Sequence, residues 1–182
     1  MGRPVSVDPS WQAAEDLARA VIGGAALPVL HSRVALEAGE TLHAELVVEG
    51  WRFMALEVTY QQVETMSFGG PVLTGAAITA TAVANRRARN AAERSAAPQW
   101  RPLGPLTTLV TSHRLLVLHE GEWHSVWYDA ITEFHPDLPR RAIELNFEAD
   151  PPYLLRGTDV PYGAVVLATA LDASRAGAAC PA

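Results

Sequence analysis

Alternating hydrophobic and polar residues between positions 106 and 134 predict the centre of an antiparallel β-sheet. Residues 106–111 are rich in β-branched side chains, which suit a pleated, half-buried surface. Residues 114–119 include four consecutive aliphatic side chains. Gly121 separates them from a third run, residues 123–134, and glycine accepts the positive φ that tight hairpins need. The third run alternates large apolar and polar side chains, which predicts one strand with one buried face.

Upstream of this meander, residues 41–49 alternate in the same way and predict a first strand with one solvent-exposed face. Gly50 is expected to turn the chain, because glycine interrupts regular patterns. Residues 51–60 are a candidate second strand, but the pattern across 51–68 leaves strand and helix both open. Residues 99–105 contain two prolines and a glycine, and we expect a rigid connector there.

Downstream, the alternation over residues 142–148 predicts a strand with one face towards the core, and residues 153–156 predict a short last strand. A loop with two prolines, residues 135–141, precedes them. A C-terminal helix is predicted over residues 160–173. Its central part, 163–171, has no charged residue, so this helix should be mostly buried.

Two more helices are predicted. Residues 9–22 follow a capping Asp8 and end at a Gly-Gly pair, which predicts an amphipathic helix docked on the main domain rather than a partner-binding helix. Residues 74–97 are dominated by alanine, the best helix former, and Pro98 ends that pattern.

The predicted fold is α+β and mainly β, with an N-terminal helix and linker at 1–30. A single domain follows at 31–175, with the helix at 74–97 inserted between early and middle strands, and a tail at 176–182. Hydrophobic residues make up 49% and charged residues 19%, as in an ordinary globular chain. A single cysteine, Cys180, excludes an intrachain disulfide. The longest uncharged run, which includes residues 66–84, contains glycines and a proline and is too weakly apolar to span a bilayer. We expect a soluble, cytoplasmic protein.

Charge singles out one segment. The net charge is −6, which disfavours nucleic acid as a partner, yet residues 85–101 contain five arginines and one glutamate. Arginine suits phosphate and carboxylate groups by its planar fork. The alternative is a solvent-exposed helix face whose positive charge balances the negative charge of the rest of the chain. The candidate partner- or anion-binding residues are Arg86, Arg87, Arg89, Arg94, Trp100 and Arg101.

Other chemistry-bearing residues favour structural interpretations. Three histidines on neighbouring predicted strands lack paired cysteines or carboxylates at ligand spacing; they are His113, His119 and His124. We find no acid–base pair, phosphate loop or dinucleotide fingerprint, so we expect no cofactor, no metal and no enzyme activity. The four aromatics of the third run are expected to pack in the core rather than form a ligand cage; they are Trp123, Trp127, Tyr128 and Phe134.

At residue level, the stretch LVTSHRLLVL (109–118) resembles a hallmark of bacterial pleckstrin-homology-like and GRAM-like domains, in which a Thr-x-x-Arg turn separates two strands. Gly39-Glu40 matches a Gly-Glu pair that often opens such domains, and WYDAI (127–131) matches an aromatic strand that ends in Ile. The resemblance covers about residues 36–173 and implies a β-barrel or sandwich with a C-terminal helix that plugs one open end. The inserted helix departs from that pattern.

The resemblance does not transfer a ligand. Phosphoinositide-binding members use clustered Lys and Arg near the first hairpin, whereas residues 49–52 offer one arginine, Arg52. Our first hypothesis is a non-catalytic adaptor that binds a protein or peptide at a barrel edge or along the inserted helix. The alternative is peripheral association with anionic membrane lipid through the arginine-rich helix. The small side chains of that helix also make a homo-oligomer plausible.

Overall fold

The computed structural model describes residues 8–55 and 97–178. The chain divides into two compact units, one formed by residues 1–52 with 101–182 and the other by residues 53–100. The predicted helix at 74–97 lies outside the described residues, apart from Ala97, as does the undecided segment after residue 55. None of the helices in the described part of the chain has the length and hydropathy to cross a bilayer.

The N-terminal helix α1 spans Pro9–Ile22, as predicted. The Asp8 side chain accepts a hydrogen bond from the Ser10 backbone amide at 3.0 Å, and proline stands in the first turn, where its missing N–H costs nothing. Ala14 is buried and α1 packs against the C-terminal helix. The prediction that this helix docks on the main domain is therefore confirmed.

Seven antiparallel strands form one sheet in the order β4-β3-β2-β1-β7-β6-β5. The strands are β1 (Leu42–Met54), β2 (Gln99–Thr111), β3 (Arg114–His119), β4 (Glu122–Trp127), β5 (Ile131–Asp137), β6 (Ala142–Phe147) and β7 (Tyr153–Arg156). Strands β4 and β5 are consecutive in the chain but occupy opposite ends of this order. Both are edge strands among the described residues. The prediction of an α+β, mainly β fold is confirmed at this level.

Two predictions around β1 and β2 were wrong. Gly50 does not turn the chain, since β1 continues through it to Met54. A Cβ at Gly50 would lie 2.1 Å from Leu106 Cδ1, so glycine makes room for a neighbouring strand's side chain. Residues 99–105 are not a connector but the first half of β2, with Pro102 and Pro105 exposed and Gly104 at φ 85°.

The third run of the meander is also not one strand. A single 3₁₀ turn, Tyr128–Ala130, separates β4 from β5. The buried or half-buried apolar residues after Trp127 are Tyr128, Ile131 and Phe134, a spacing of three that follows the turn rather than a pleat. The predicted loop at 135–141 is likewise shorter, because β5 runs to Asp137.

The core lies between one face of the sheet and the C-terminal helix, α2, which spans Val160–Ala178 and so ends beyond the predicted residue 173. Inward-facing residues of β1 alternate with exposed ones, as predicted. The strands contribute buried aliphatic side chains, among them Leu46, Leu106, Leu115, Ile143, Leu145 and Leu155. The uncharged stretch of α2 is largely buried, with Val166 and Leu167 at most 1% exposed. Burying each such side chain contributes roughly 1.5–3 kcal/mol.

A smaller cluster comprises Leu42, Leu109 and Leu116. Val34 and Leu36, from the segment before β1, pack against it. This segment leads directly to Glu40, which lies just before β1 and next to the turn between β2 and β3.

Candidate partner-binding edge

A buried ion pair fixes the turn between β2 and β3. The Arg114 guanidinium donates to Glu40 in a bidentate arrangement, Nε to Oε1 and Nη2 to Oε2, both at 3.0 Å. The Glu40 side chain is fully buried and that of Arg114 is 12% exposed. Bidentate, charge-assisted pairs of this kind are among the stronger hydrogen bonds in proteins.

The remaining acceptor capacity of Glu40 is also used. The Thr111 hydroxyl is 2.7 Å from Oε1, and the Glu37 backbone amide donates to Oε2 at 2.8 Å. Burial alone would raise the pKa of the Glu40 carboxyl. The hydrogen bonds from Arg114, Glu37 and Thr111 outweigh burial, so the pKa of Glu40 lies below its usual value. A carboxylate held in this way is a structural anchor and not a proton acceptor for a substrate.

Thr111 and its neighbours join the start of β1 to the turn. The Thr111 hydroxyl accepts from the Arg114 backbone amide at 3.0 Å, which closes the turn. The Ser112 amide donates to the Thr41 carbonyl at 2.9 Å, and the Ser112 hydroxyl accepts from the Thr41 amide at 3.1 Å. The network therefore ties residues far apart in sequence into one rigid corner.

Tyr128 attaches the far end of β4 to the same corner. Its hydroxyl donates to the Thr111 carbonyl at 2.7 Å, and its ring is buried. Burial, with a smaller contribution from the Glu40 charge, raises the pKa of Tyr128 far above its ordinary value. The phenol therefore stays protonated and keeps donating this hydrogen bond.

Arg114 extends the corner onto β4. Its Nη1 donates to Ser125 Oγ at 3.1 Å, and its guanidinium lies over the Trp127 ring, 4.6 Å from the centroid. Glu37 adds a second carboxylate 3.5 Å from Nη1. Strand β4 is thus held at a defined place at the end of the sheet, and the cationic charge of Arg114 is already matched.

The backbone of β4 alternates between its neighbour and solvent. The β3–β4 hairpin has a two-residue loop, Glu120 (φ 51°) and Gly121 (φ 85°), which makes His119 and Glu122 a hydrogen-bonded pair. Pairs then alternate along an antiparallel ladder. The Tyr128 amide donates to the His113 carbonyl at 3.4 Å, at the position where this alternation places the last bonded pair.

The amides and carbonyls that point away from β3 are therefore those of Trp123, Ser125 and Trp127, whose side chains share one face. Within residues 8–55 and 97–178, no strand pairs with that outer edge. Trp123 is 36% and Trp127 39% exposed. The expectation that the four aromatics pack in the core holds for Tyr128 and Phe134 and is wrong for these two tryptophans, because β4 lies at the end of the sheet.

The opposite edge differs in composition. Strand β5 contains Pro136, which cannot donate to an added strand, and its register shifts between Ile131 and Glu133. Prolines and bulges are devices that protect edge strands from unwanted pairing. Strand β4 has neither within Glu122–Trp127. Of these two edges, β4 is the one suited to accept another strand.

Two concave regions of the described surface carry charges that are balanced or already paired. A groove of about 380 Å³ on β5, β6 and β7 is lined by two arginines and two acids, namely Arg140, Arg156, Asp137 and Glu144. Because these charges balance, the groove favours neither an anionic nor a cationic ligand. A cleft of about 620 Å³ beside α1 and α2 includes Asp8 and Asp159. Asp8 pairs with Arg141, and Asp159 accepts from the Val47 amide at 3.0 Å, so both acids have structural roles.

The structure describes two of the six residues that were predicted to form an anion- or partner-binding cluster. Four of the arginines, Arg86, Arg87, Arg89 and Arg94, lie outside the described residues. Trp100 is in β2, and its ring packs edge-on against Phe53 with centroids 5.5 Å apart. Arg101 is half-buried in β2. The structure describes none of the four helix arginines, so the cluster stays a prediction.

Sequence reasoning missed the edge of β4 but noted its components. The glutamate of Gly39-Glu40 and the arginine of the Thr-x-x-Arg turn appeared as separate motifs, and the structure brings them together in the buried pair. Alternation placed Trp123, Ser125 and Trp127 on one face. The missing information was that β4 ends the sheet, and no local signal encodes that.

The described residues otherwise offer little reactive chemistry. The rings of His119 and His124 lie 6.3 Å apart. Within the described ranges, no group of three or more His, Cys, Asp or Glu side chains is arranged to hold a metal ion. Comparisons with protein-family models, with curated proteins and with solved structures gave no match.

Proposed function

We propose that this protein is a non-catalytic binding module that recognises a protein or peptide partner through the outer edge of β4. The observation that carries the proposal is that β4 ends the sheet within the described residues and has two exposed tryptophans on one face. Tryptophan is enriched among the residues that dominate binding energy at protein interfaces. An edge strand with free backbone groups is a template for pairing with another chain.

The rigid corner behind β4 supports the same function. Arg114 holds Ser125 and stacks on Trp127, while Tyr128 fixes the end of the strand. A surface held in place before binding loses less conformational entropy when a partner docks. The ion pair thus serves to present β4 and does no chemistry of its own.

A pleckstrin-homology-like fold is part of the proposal. Seven antiparallel strands followed by one buried C-terminal helix is the element order that the sequence resemblance implied. The contact between Glu40 and Arg114 gives the two quoted motifs a common structural role. Function does not follow from fold, so the binding assignment depends on β4 alone.

Site-specific photo-crosslinking tests the proposal. A photoreactive phenylalanine derivative replaces Trp123 on β4 or, as the matched control, the exposed Thr132 on β5. Each purified protein is irradiated in an extract of the cell that encodes it. We expect a discrete adduct from position 123 that is absent from position 132 and disappears when Trp127→Ser is added. Identical adducts at both positions, or none at position 123, would refute binding at β4.

A further inference from the structure

We infer that the partner supplies an extended segment that adds to β4 as a further strand, with β-branched side chains at alternate positions and basic residues at its two ends. This inference rests on the proposed function and specifies the chemistry of the partner. It follows from three properties of β4: its outward backbone groups, which pair with no strand in the described part of the chain, the face its tryptophans share, and the charges at its ends.

The backbone sets the mode of binding. Trp123, Ser125 and Trp127 each direct an amide and a carbonyl outward, as the hairpin register requires. These groups repeat every second residue and match the spacing of another extended chain. A helix cannot satisfy them, because its own backbone groups are bonded internally.

The side chains set the central positions of the segment. Trp123 and Trp127 stand about 13 Å apart, four residues along one strand, with the small Ser125 between them. Residues of an added strand that pair with these positions place their side chains on the same face. Cross-strand pairs of an aromatic with a β-branched residue are favourable, so valine, isoleucine or threonine fits best there.

The ends of β4 are acidic. Glu120 and Glu122 are exposed at its start, and Asp129 is exposed just after its end. The nearby Arg114 does not offset them, because its charge is matched by Glu40 and Glu37. Basic residues at both ends of the segment would therefore meet carboxylates in either strand direction.

A second copy of this chain is a poorer occupant. Twofold antiparallel pairing centred on Ser125 would place Asp129 opposite the second copy's Gly121, between that copy's Glu120 and Glu122. Each copy also carries a net charge of −6. Like charges on neighbouring positions of a strand pair repel each other, so this pairing is unfavourable.

The test uses two synthetic peptides as probes. Each has a core of six residues, the length of β4, in which valine and threonine alternate, with one added residue at each end. The end residues are arginine in one peptide and glutamate in the other. Fluorescence anisotropy at low salt is expected to show about tenfold tighter binding of the arginine-ended peptide. The difference should shrink as salt is raised.

Two variants of one residue separate strand addition from other binding modes. Ser125→Pro removes an amide that points outward while leaving the bonds to β3, and proline is tolerated on the free side of an edge strand. Ser125→Ala also loses the hydroxyl that accepts from Arg114 but keeps the amide. We expect Ser125→Pro to bind the arginine-ended peptide about tenfold or more weakly than Ser125→Ala does, because only the proline removes the outward amide. Far-ultraviolet circular dichroism confirms that both variants fold.

The outcomes distinguish this inference from the proposed function. Equal or tighter binding of the glutamate-ended peptide would overturn the charge argument, and equal effects of the two Ser125 variants would overturn strand addition. If neither peptide binds while the crosslink from position 123 forms, the partner chemistry is wrong and the binding site stands. A dimer in sedimentation that Ser125→Pro abolishes would assign β4 to a second copy and overturn the inference.

Discussion

The substitution Glu40→Gln would disrupt the buried ion pair while preserving the size of the side chain. Its amide group can replace one carboxylate oxygen as an acceptor, but the NH₂ end then faces two donors. If the NH₂ group takes the place of Oε2, the Arg114 Nη2 and the Glu37 amide, which lie 3.0 and 2.8 Å from Oε2, lose their acceptor. If it takes the place of Oε1, the donors to Oε1 lose theirs. Each buried donor left unsatisfied costs about 1–3 kcal/mol. We therefore expect the free energy of unfolding to fall by about 3 kcal/mol.

Urea unfolding at pH 7, followed by tryptophan fluorescence and circular dichroism, measures this loss. The loss should lower the urea concentration at the unfolding midpoint and leave the m-value unchanged. In thermal unfolding, it should lower Tm by about 6–12 °C. The control is Glu45→Gln, an exposed carboxylate on β1, which should change stability by less than about 0.5 kcal/mol. The double variant Glu40→Gln with Arg114→Gln should lose less than the sum of the single losses.

The dependence on pH has a defined direction. The pKa of Glu40 is lowered in the folded protein, so its contribution is complete above the unfolded value of about 4.3. As pH falls below that value, the wild type loses this contribution and the gap between it and Glu40→Gln narrows. A loss at pH 7 below about 0.5 kcal/mol, or a gap that widens in acid, would refute the role assigned to the ion pair.

Three further substitutions are predicted to change stability, and a fourth serves as a control. Thr108 is fully buried and its hydroxyl has no partner within the described residues, so Thr108→Val should raise the free energy of unfolding by about 1 kcal/mol in urea titrations; a loss would contradict this. Gly50→Ala forces a Cβ against Leu106 and should cost about 1–3 kcal/mol, whereas Gly177→Ala, with open space around it, should be neutral or stabilising. Tyr128→Phe leaves the Thr111 carbonyl without its donor and should cost about 1–2 kcal/mol, with wild-type stability as the refuting result.

Much of the fold was predictable because the relevant signals are local. The bounds of α1 follow from Asp8, the proline after it and the Gly-Gly pair. Strand β3 and its hairpin follow from an aliphatic run and Gly121. In each case, neighbouring residues alone determine the capping or turn geometry.

The incorrect predictions depended on contacts between distant residues. Gly50 resembles a turn residue in sequence, and only the position of Leu106 on the adjacent strand explains it. At the break, the Tyr128 hydroxyl bonds to the Thr111 carbonyl, seventeen residues away. The exposure of Trp123 and Trp127 depends on the order of all seven strands, which alternation within one strand does not specify.

Amide hydrogen exchange along β4, measured by nuclear magnetic resonance, tests the open edge most directly. In the free protein, the amides of His124 and Val126 should exchange slowly because they bond to β3, while those of Trp123, Ser125 and Trp127 should exchange quickly. Addition of the arginine-ended peptide should slow the second group selectively. Slow exchange at all five amides in the free protein would show that the edge is already covered and would contradict the account.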